Sequence, residues 1–368
     1  MSPGPFDPAI FDHLIDATRD LPTPLLVIDD TVVAANILRL AEVGEEHGVD
    51  VRPHIKTHKS SLLSRRQLDA GAVGLACATL SEALGLGEAG VSTEIMVAAP
   101  VFLDRPKTEL LRRVAALHDR VLLAADSPEG TRVLGGATGF DNVAVMIEVD
   151  SGNDRTGVAP EDAGDLASTI EVPIAGIFTH GGHSYGPGKA SAAADDEVRA
   201  LSTALDGMPD PDGLIVSAGS TPTATLAGRD PVTELRVGTS VFGDRQQTMM
   251  GSIEPDQVGT AVVTTIIHAA PDKLVLDAGA KTVTKDRAEW LDGYGALPAE
   301  PNSTIIRLYD NHGVVSRDET RSGLKVGERV VLIPNHICPV VNCFDEMHLV
   351  DEDGADTAIP VDLRGNLA

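Results

Sequence analysis

From Pro24 to about Gly243 the chain repeats one pattern: a short apolar run, a polar turn, then a longer stretch rich in Ala, Leu, Glu and Arg. The runs are LLVID (25–29), VRPHIK (51–56), VGLACA (73–78), EIMVAA (94–99), RVLLAAD (120–126), NVAVMIEVD (142–150), IAGIFTH (174–180), LIVSAGS (214–220) and ELRVGT (234–239). Most are apolar continuously and not alternately, as strands are when both faces of a parallel sheet are covered. The intervals are long enough for crossover helices, most clearly Thr31 to His47 and Lys189 to Leu205. The fold class this predicts is α/β, a (β/α)₈ TIM-like barrel with its chemistry at the C-terminal ends of the strands. Nine runs are one too many for eight staves, which places LLVID outside the closed barrel or makes one run something other than a strand.

After Gly251 the texture changes. VGTAVVTTIIHA, KLVLDAGA, STIIRLYDNHGVVS, ERVVLIPNHICPVV and MHLVDEDG are separated by Asp, Gly and Pro turns with no helix-length interval, which predicts a mostly antiparallel β domain. The organisation expected is an N-terminal segment 1–22 packing on the β domain, a barrel over 23–250 and a β-rich domain over 251–368. Lys plus Arg number 29 against 55 Asp plus Glu, a net charge of −26, so neither nucleic acid nor an anionic membrane is the expected partner. Three cysteines, Cys77, Cys338 and Cys343, are too few for a disulfide framework and suit a reducing cytoplasm. The first twenty residues lack a basic n-region, and no run of about 18 apolar residues follows, so neither export nor a membrane span is expected.

The strand ends carry the chemistry. In RPHIKTHK (52–59), a lysine leaving a buried strand loses solvation, and its neutral amine can condense with an aldehyde, which makes Lys56 a Schiff-base candidate. A solvated strand end facing acidic neighbours is the competing reading. VDSGNDRTGV (149–158) supplies Arg155, a fork of donors for an anionic oxygen. THGGHSY (179–185) sets His180 and Tyr185 around a glycine pair that lets backbone approach a ligand. SAGSTPT (217–223), with Ser217, Gly219, Ser220 and Thr221, offers hydroxyls and amides for a phosphate, and RVGT (236–239) adds Gly238 and Thr239. Singly each is an ordinary turn. Together, at one end of a barrel, they describe a pocket for a phosphorylated aldehyde.

PTPLLVID, RPHIKTHK, EVDSGNDRTG, THGGHSY, SAGSTPT, ELRVGT, LDAGAKTVTKD and PNHICP resemble the fold-type III pyridoxal-phosphate enzymes. This is the alanine-racemase-type barrel group, and the likeness is greatest to its branch of D-serine dehydratases and D-threonine aldolases. The resemblance implies pyridoxal 5'-phosphate bound to Lys56, with Arg155 near its phenolic oxygen and His180 and Tyr185 flanking its ring. Ser217, Gly219, Ser220, Thr221, Gly238 and Thr239 would hold the phosphate, and Arg236 stands where racemases of this fold place an arginine against the ring nitrogen. Lys56, His180 and Tyr185 are the catalytic candidates. A homodimer is also implied.

In VVLIPNHICPVVN, His336 and Cys338 are two apart, so a strand would aim both at one face, where imidazole and thiolate suit a metal. A bare H-x-C is ordinarily a buried small hydrophobe beside a histidine. The resemblance gives it meaning, because this branch places a His-x-Cys or His-x-Asp pair there for a divalent ion: Zn²⁺, with Mn²⁺ or Mg²⁺ as alternatives. Cys343, five residues on, would face the other way and be structural. His312 in DNHG either lines the site or is a turn histidine, Lys281 and Lys285 occupy a turn-rich stretch, and His183 is open to either reading. His54, His58 and Lys59 are read as supporting or surface residues.

The activity implied is that of a pyridoxal-phosphate- and metal-dependent lyase for a small β-hydroxy-D-amino acid. Cysteine in place of aspartate as the second ligand resembles the D-serine dehydratase pattern, giving keto acid and ammonia. Retro-aldol cleavage of the D-threonine aldolase type, to glycine and an aldehyde, is the alternative. Racemization or a non-catalytic pyridoxal-phosphate carrier come after these, and a scaffolding protein on a barrel would be colourless.

Overall fold

The computed structural model describes residues 5–130, 140–301, 303–317 and 323–368, so residues 1–4 of the N-terminal segment lie outside it. The chain forms two compact units. One is Ile37–Lys56, Ser60–Gly238 and Gly365–Ala368; the other is the N-terminal stretch to Asn36, Thr57–Lys59 and Thr239–Arg364.

The first run, β1 (Leu25–Asp29), lies outside the barrel and pairs within the second unit. The other eight form a parallel sheet: β2 (Asp50–Val51), β3 (Leu75–Cys77), β4 (Glu94–Val97), β5 (Arg120–Ala125), β6 (Val143–Glu148), β7 (Ile174–Phe178), β8 (Ile215–Ala218) and β9 (Glu234–Leu235). The order is β2-β9-β8-β7-β6-β5-β4-β3, and the ring closes where His54 bridges Ala76 and the Val73 amide donates to Val51 O. β6 is buried at every position, which explains its apolar run Val143–Ile147, with Glu148 the charged residue at its end. Ala76, Met96, Leu122, Ala124, Ala144, Met146, Ala175 and Phe178 cluster in one core, small residues opposite larger ones.

VRPHIK is mostly not a strand. Beyond Val51 the pairing is irregular: the Arg52 and His54 amides donate to Leu235 O and Val237 O and the Ile55 amide to Ala76 O, while Pro53 has no amide to donate. Lys56 therefore leaves the barrel on a turn and not from a regular strand end. Similarly, the regular strand within ELRVGT is Glu234–Leu235, although the Arg236 amide still donates to Ala218 O and Val237 O accepts from the His54 amide.

A polar chain crosses the barrel wall. Arg52, 1% exposed, donates from Nε to Glu234 Oε2 at 2.9 Å and from Nη2 to Glu94 Oε1 at 2.6 Å. Ser217 donates to the other Glu234 oxygen at 2.8 Å and accepts from Arg236 Nη1 at 2.8 Å, while Arg236 Nη2 donates to Thr179 O at 2.7 Å. Removing one member strands a buried charge, which costs far more than the pair is worth. Arg52→Met is expected to destabilise the protein by about 3–5 kcal/mol, read as a lowered denaturant midpoint. Adding Glu234→Gln should recover part of that loss.

The second unit is built on β10 (Thr260–Ala269), which pairs antiparallel with β1, β11 (Lys273–Leu276) and β14 (Arg329–Leu332). The sheet continues through β13 (Gly313–Ser316) to β12 (Ile305–Leu308) on one side. On the other it continues through β15 (Glu346–Val350) to β16 (Asp356–Pro360). Among the described residues of this unit the β1–β15 pairing alone is parallel. Phe6, Phe11 and Leu14 of the N-terminal segment pack with Leu25, Val27, Val331 and Ile333 of this unit. No helix among the described residues is long and apolar enough to cross a membrane.

PNHICP departs from expectation. β14 stops at Leu332, His336 has extended backbone, and Ile337–Val341 is a short helix with Cys338 in its first turn. Pro334 withdraws a ladder donor, and Pro339 falls where a helix needs none. His336 and Cys338 are thus not alternate residues of one strand. Cys343 follows the helix and not an uninterrupted strand; its thiol donates to Pro339 O, four residues back.

Candidate active site

Because the eight staves are parallel, the segments after β2, β6, β7, β8 and β9 emerge at one end of the barrel unit. Lys56 is half-buried there, its amide donating to His54 Nδ1 at 3.3 Å. Among the described residues no hydrogen bond or ion pair engages its amine, so the nitrogen is uncommitted. His180 follows β7 and stacks obliquely on Tyr185, ring centres 6.2 Å apart. Burial, then the charges of Lys56, Arg236 and Arg155, hold the His180 pKa well below its ordinary value, so the ring is neutral near pH 7. The charges that act on this imidazole are those of Lys56, Arg236 and Arg155, of which Arg155 faces Glu148 and Arg236 is opposed by Glu234, Glu148 and Glu197.

Arg155 is 55% exposed, with Nη2 3.5 Å from Glu148 Oε1. Glu148 is buried, its Oε1 accepts from the Thr156 hydroxyl at 2.9 Å, and its Oε2 has no partner among the described residues. Burial raises its pKa, against Thr156 and Arg155. Ser217 and Arg236 are committed to the polar chain in the barrel, and the Arg236 guanidinium also lies 4.8 Å from the Phe178 ring centre. Ser220 and Thr221 are buried; the Ser220 hydroxyl is 3.1 Å from that of Ser184 and 3.0 Å from that of Thr223. The Gly219 amide, at φ +94°, is held by the Glu197 carboxylate. At Gly238 and Thr239 no acceptor for the backbone amide is found among the described residues.

The second unit brings His336 and Cys338 together. The His336 Nδ1–H donates to Asp286 Oδ2 at 2.6 Å, leaving Nε2 for a ligand. Burial would lower the His336 pKa, but the Cys338 sulfur and the Asp286 carboxylate overcome it and push it up to about 11, so a metal at Nε2 would have to displace a proton. Cys338 Sγ lies 3.2 Å from the Thr57 hydroxyl and 3.7 Å from that of Thr239. Asp244 fixes this turn: its Oδ1 caps the helix Arg245–Met250 through the Gln247 amide, and its Oδ2 accepts from the Ile337 amide at 3.1 Å. Burial raises the Asp244 pKa to about 6. Among the described residues no group of three or more His, Cys, Asp or Glu could hold a metal, so the pair offers two ligands and leaves further positions to water or substrate.

The remaining candidates separate. His58 and Lys59 are buried and not on the surface. His312 is exposed in the β12–β13 turn, Lys281 pairs with Asp310, and Lys285 is exposed. His183 Nε2 lies 3.2 Å from Asp196. Sequence reading passed over Glu148, Glu197, Asp244 and Asp286. Glu148 was legible as a carboxylate inside the apolar run VAVMIE, whereas Asp286 is fifty residues from its partner and gave no signal.

The model of the alanine racemase N-terminal domain matches residues 28–246, and that of a putative serine dehydratase domain matches 259–350. The chain belongs to the alanine racemase N-terminal domain family. It is 30% identical to the D-threo-3-hydroxyaspartate dehydratase of Delftia sp. (strain HT23), over 92% of this chain and 97% of that one. It is 27% identical to the D-threonine aldolase of an Arthrobacter species, over 95% and 94% respectively. The solved structure of the Delftia dehydratase superposes with a TM-score of 0.82 at 28% identity, again covering 92% of this chain and 97% of that one. A cysteine-to-alanine variant of that enzyme has been solved in a metal-free form.

Proposed function

We propose that the chain is a pyridoxal-phosphate- and divalent-metal-dependent lyase acting on β-hydroxy-D-amino acids, in the first place a D-serine dehydratase-type ammonia-lyase. The observation that carries this reading is the pairing of His336 with Cys338, oriented by Asp286, in a chain that also presents an uncommitted lysine amine amid cations. Lys56 and Thr57 are consecutive, and it is the Thr57 hydroxyl that reaches Cys338. The Delftia relative is named a dehydratase, and the metal-free form of its cysteine variant supports a cysteine as ligand.

When bound, pyridoxal phosphate draws electrons away from Cα, and a divalent ion, Zn²⁺ by the imidazole–thiolate donor set, polarises the β-hydroxyl. The protein's part is placement and proton transfer. Lys56 Nζ takes the proton from Cα. His180 stays neutral and presents an uncharged face beside Tyr185, and Arg155 offers its guanidinium to an anionic oxygen. The amides of Gly238 and Thr239, with Ser220 and Thr221, are the phosphate donors; Ser217 and Arg236 support these loops from below. His336 and Cys338 hold the ion. Loss of the Cα proton and of the β-hydroxyl as water leaves an enamine that hydrolyses to keto acid and ammonia.

The second reading, retro-aldol cleavage, is favoured by the 27% identity to a D-threonine aldolase over nearly the whole chain. One assay divides them. With cofactor and metal supplied, D-serine should yield pyruvate and ammonia; glycine from D-threonine without keto acid from D-serine would establish the aldolase instead. A homodimer in the cytoplasm completes the proposal, the dimer supported by the family likeness and the compartment by three cysteines that form no disulfide among the described residues, and light scattering tests the dimer.

A further inference from the structure

The helix Ala190–Gly207 turns a stripe of small residues toward the barrel: Ala193, Ala194, Ala200, Leu201 and Ala204. In the middle of that stripe stands Glu197, 0% exposed. A carboxylate is costly to bury unless it is well paired. Its Oε1 accepts two backbone amides, Gly181 N–H at 3.0 Å and Gly219 N–H at 3.0 Å. These belong to different loops. Gly181 follows His180 at the end of β7, and Gly219 opens the Ser220–Thr221 segment after β8. Neither amide finds a backbone acceptor among the described residues. A Cβ on Gly181 would lie 2.7 Å from the Glu197 carboxyl carbon, so a side chain there would make the acid shift.

We propose that Glu197 is a positioning residue: one oxygen ties the His180 loop to the Ser220 loop and thereby sets how tightly the barrel holds pyridoxal phosphate. This rests on the cofactor reading above and adds to it a residue that touches neither cofactor nor substrate. The decisive property is acceptance at Oε1, because the two amides that it ties are both neutral donors. Glutamine preserves that acceptor and alanine removes it. The loss expected on removal is that of a displaced binding loop and not of a direct contact.

The test titrates pyridoxal phosphate into the stripped full-length protein and follows visible absorbance, with no turnover involved. Glu197→Ala should bind on the order of ten- to a hundred-fold more weakly than the parent. Glu197→Gln should stay within about three-fold of it, and Gly181→Ala, which crowds the carboxylate, should resemble the alanine variant. Parent-like binding by Glu197→Ala overturns the proposal, and so does a Glu197→Gln as weak as Glu197→Ala. If Glu197→Ala does not accumulate folded, amide exchange in the stripped parent decides. Gly181 and Gly219 amides as slow as those of β7 and β8 support the tie, and exchange at exposed-loop rates overturns it. A parent that binds no pyridoxal phosphate sinks the cofactor reading and this proposal together, whereas a tight parent with unaffected variants sinks this one alone.

Discussion

Replacing Lys56 by alanine is expected to lower kcat on β-hydroxy-D-amino acids by about a thousand-fold or more, and to abolish the visible absorbance of lysine-bound pyridoxal. The size of the effect follows from two roles resting on one atom: Nζ holds the aldehyde and then takes the Cα proton. The fold should survive, because the structural ties of this residue are backbone ones and its amine makes no hydrogen bond or ion pair among the described residues. Circular dichroism and the unfolding midpoint should match the parent. Lys56→Arg should be as inactive, since a guanidinium is never neutral at working pH and cannot condense. Residual activity within about ten-fold of the parent would show that another lysine does the work.

His336→Ala and Cys338→Ala should each cut the bound divalent metal from about one equivalent to near zero, with a loss of lyase activity on the order of a thousand-fold. Two protein ligands leave little to spare, and neither can be lost while the other still holds the ion. Asp286→Asn grades the result. It leaves both ligands but weakens the acceptor on His336 Nδ1, so metal affinity should fall by about ten- to a hundred-fold and activity should return at higher metal concentration. Metal content by elemental analysis and activity against added Zn²⁺ check all three. A Cys338→Ala protein that keeps full metal and activity would remove the thiolate from the mechanism.

Much of this architecture is written in local pattern. Strands buried on both faces are apolar almost throughout, as Val143–Ile147 is before Glu148 ends the run, and eight of them alternating with helices leave few alternatives to a parallel barrel. Where short-range chemistry competes, pattern misleads. Pro53 and Pro339 lie in runs of strand composition, and each carried its own warning, since proline cannot donate to a ladder. The H-x-C pair was picked out by residue type on the expectation of strand alternation, whereas the structure sets the two residues at the start of a short helix. Glu197 was readable and went unread. Helical spacing puts it on the same face as Ala193, Ala200 and Leu201, and a charge on an apolar face asks for a buried partner. Which partner it finds, and that Asp286 meets His336 or Arg52 meets Glu234 across 182 residues, depends on how distant elements meet in space. Periodicity does not carry that information.

The central claim is that the Lys56 amine captures pyridoxal phosphate. Borohydride reduction of the loaded protein makes that bond permanent, and peptide mass spectrometry then locates it. One phosphopyridoxyl group on Lys56, absent from Lys56→Ala, is the predicted result; an unmodified Lys56 peptide, or the label on Lys59, Lys281 or Lys285, would contradict it.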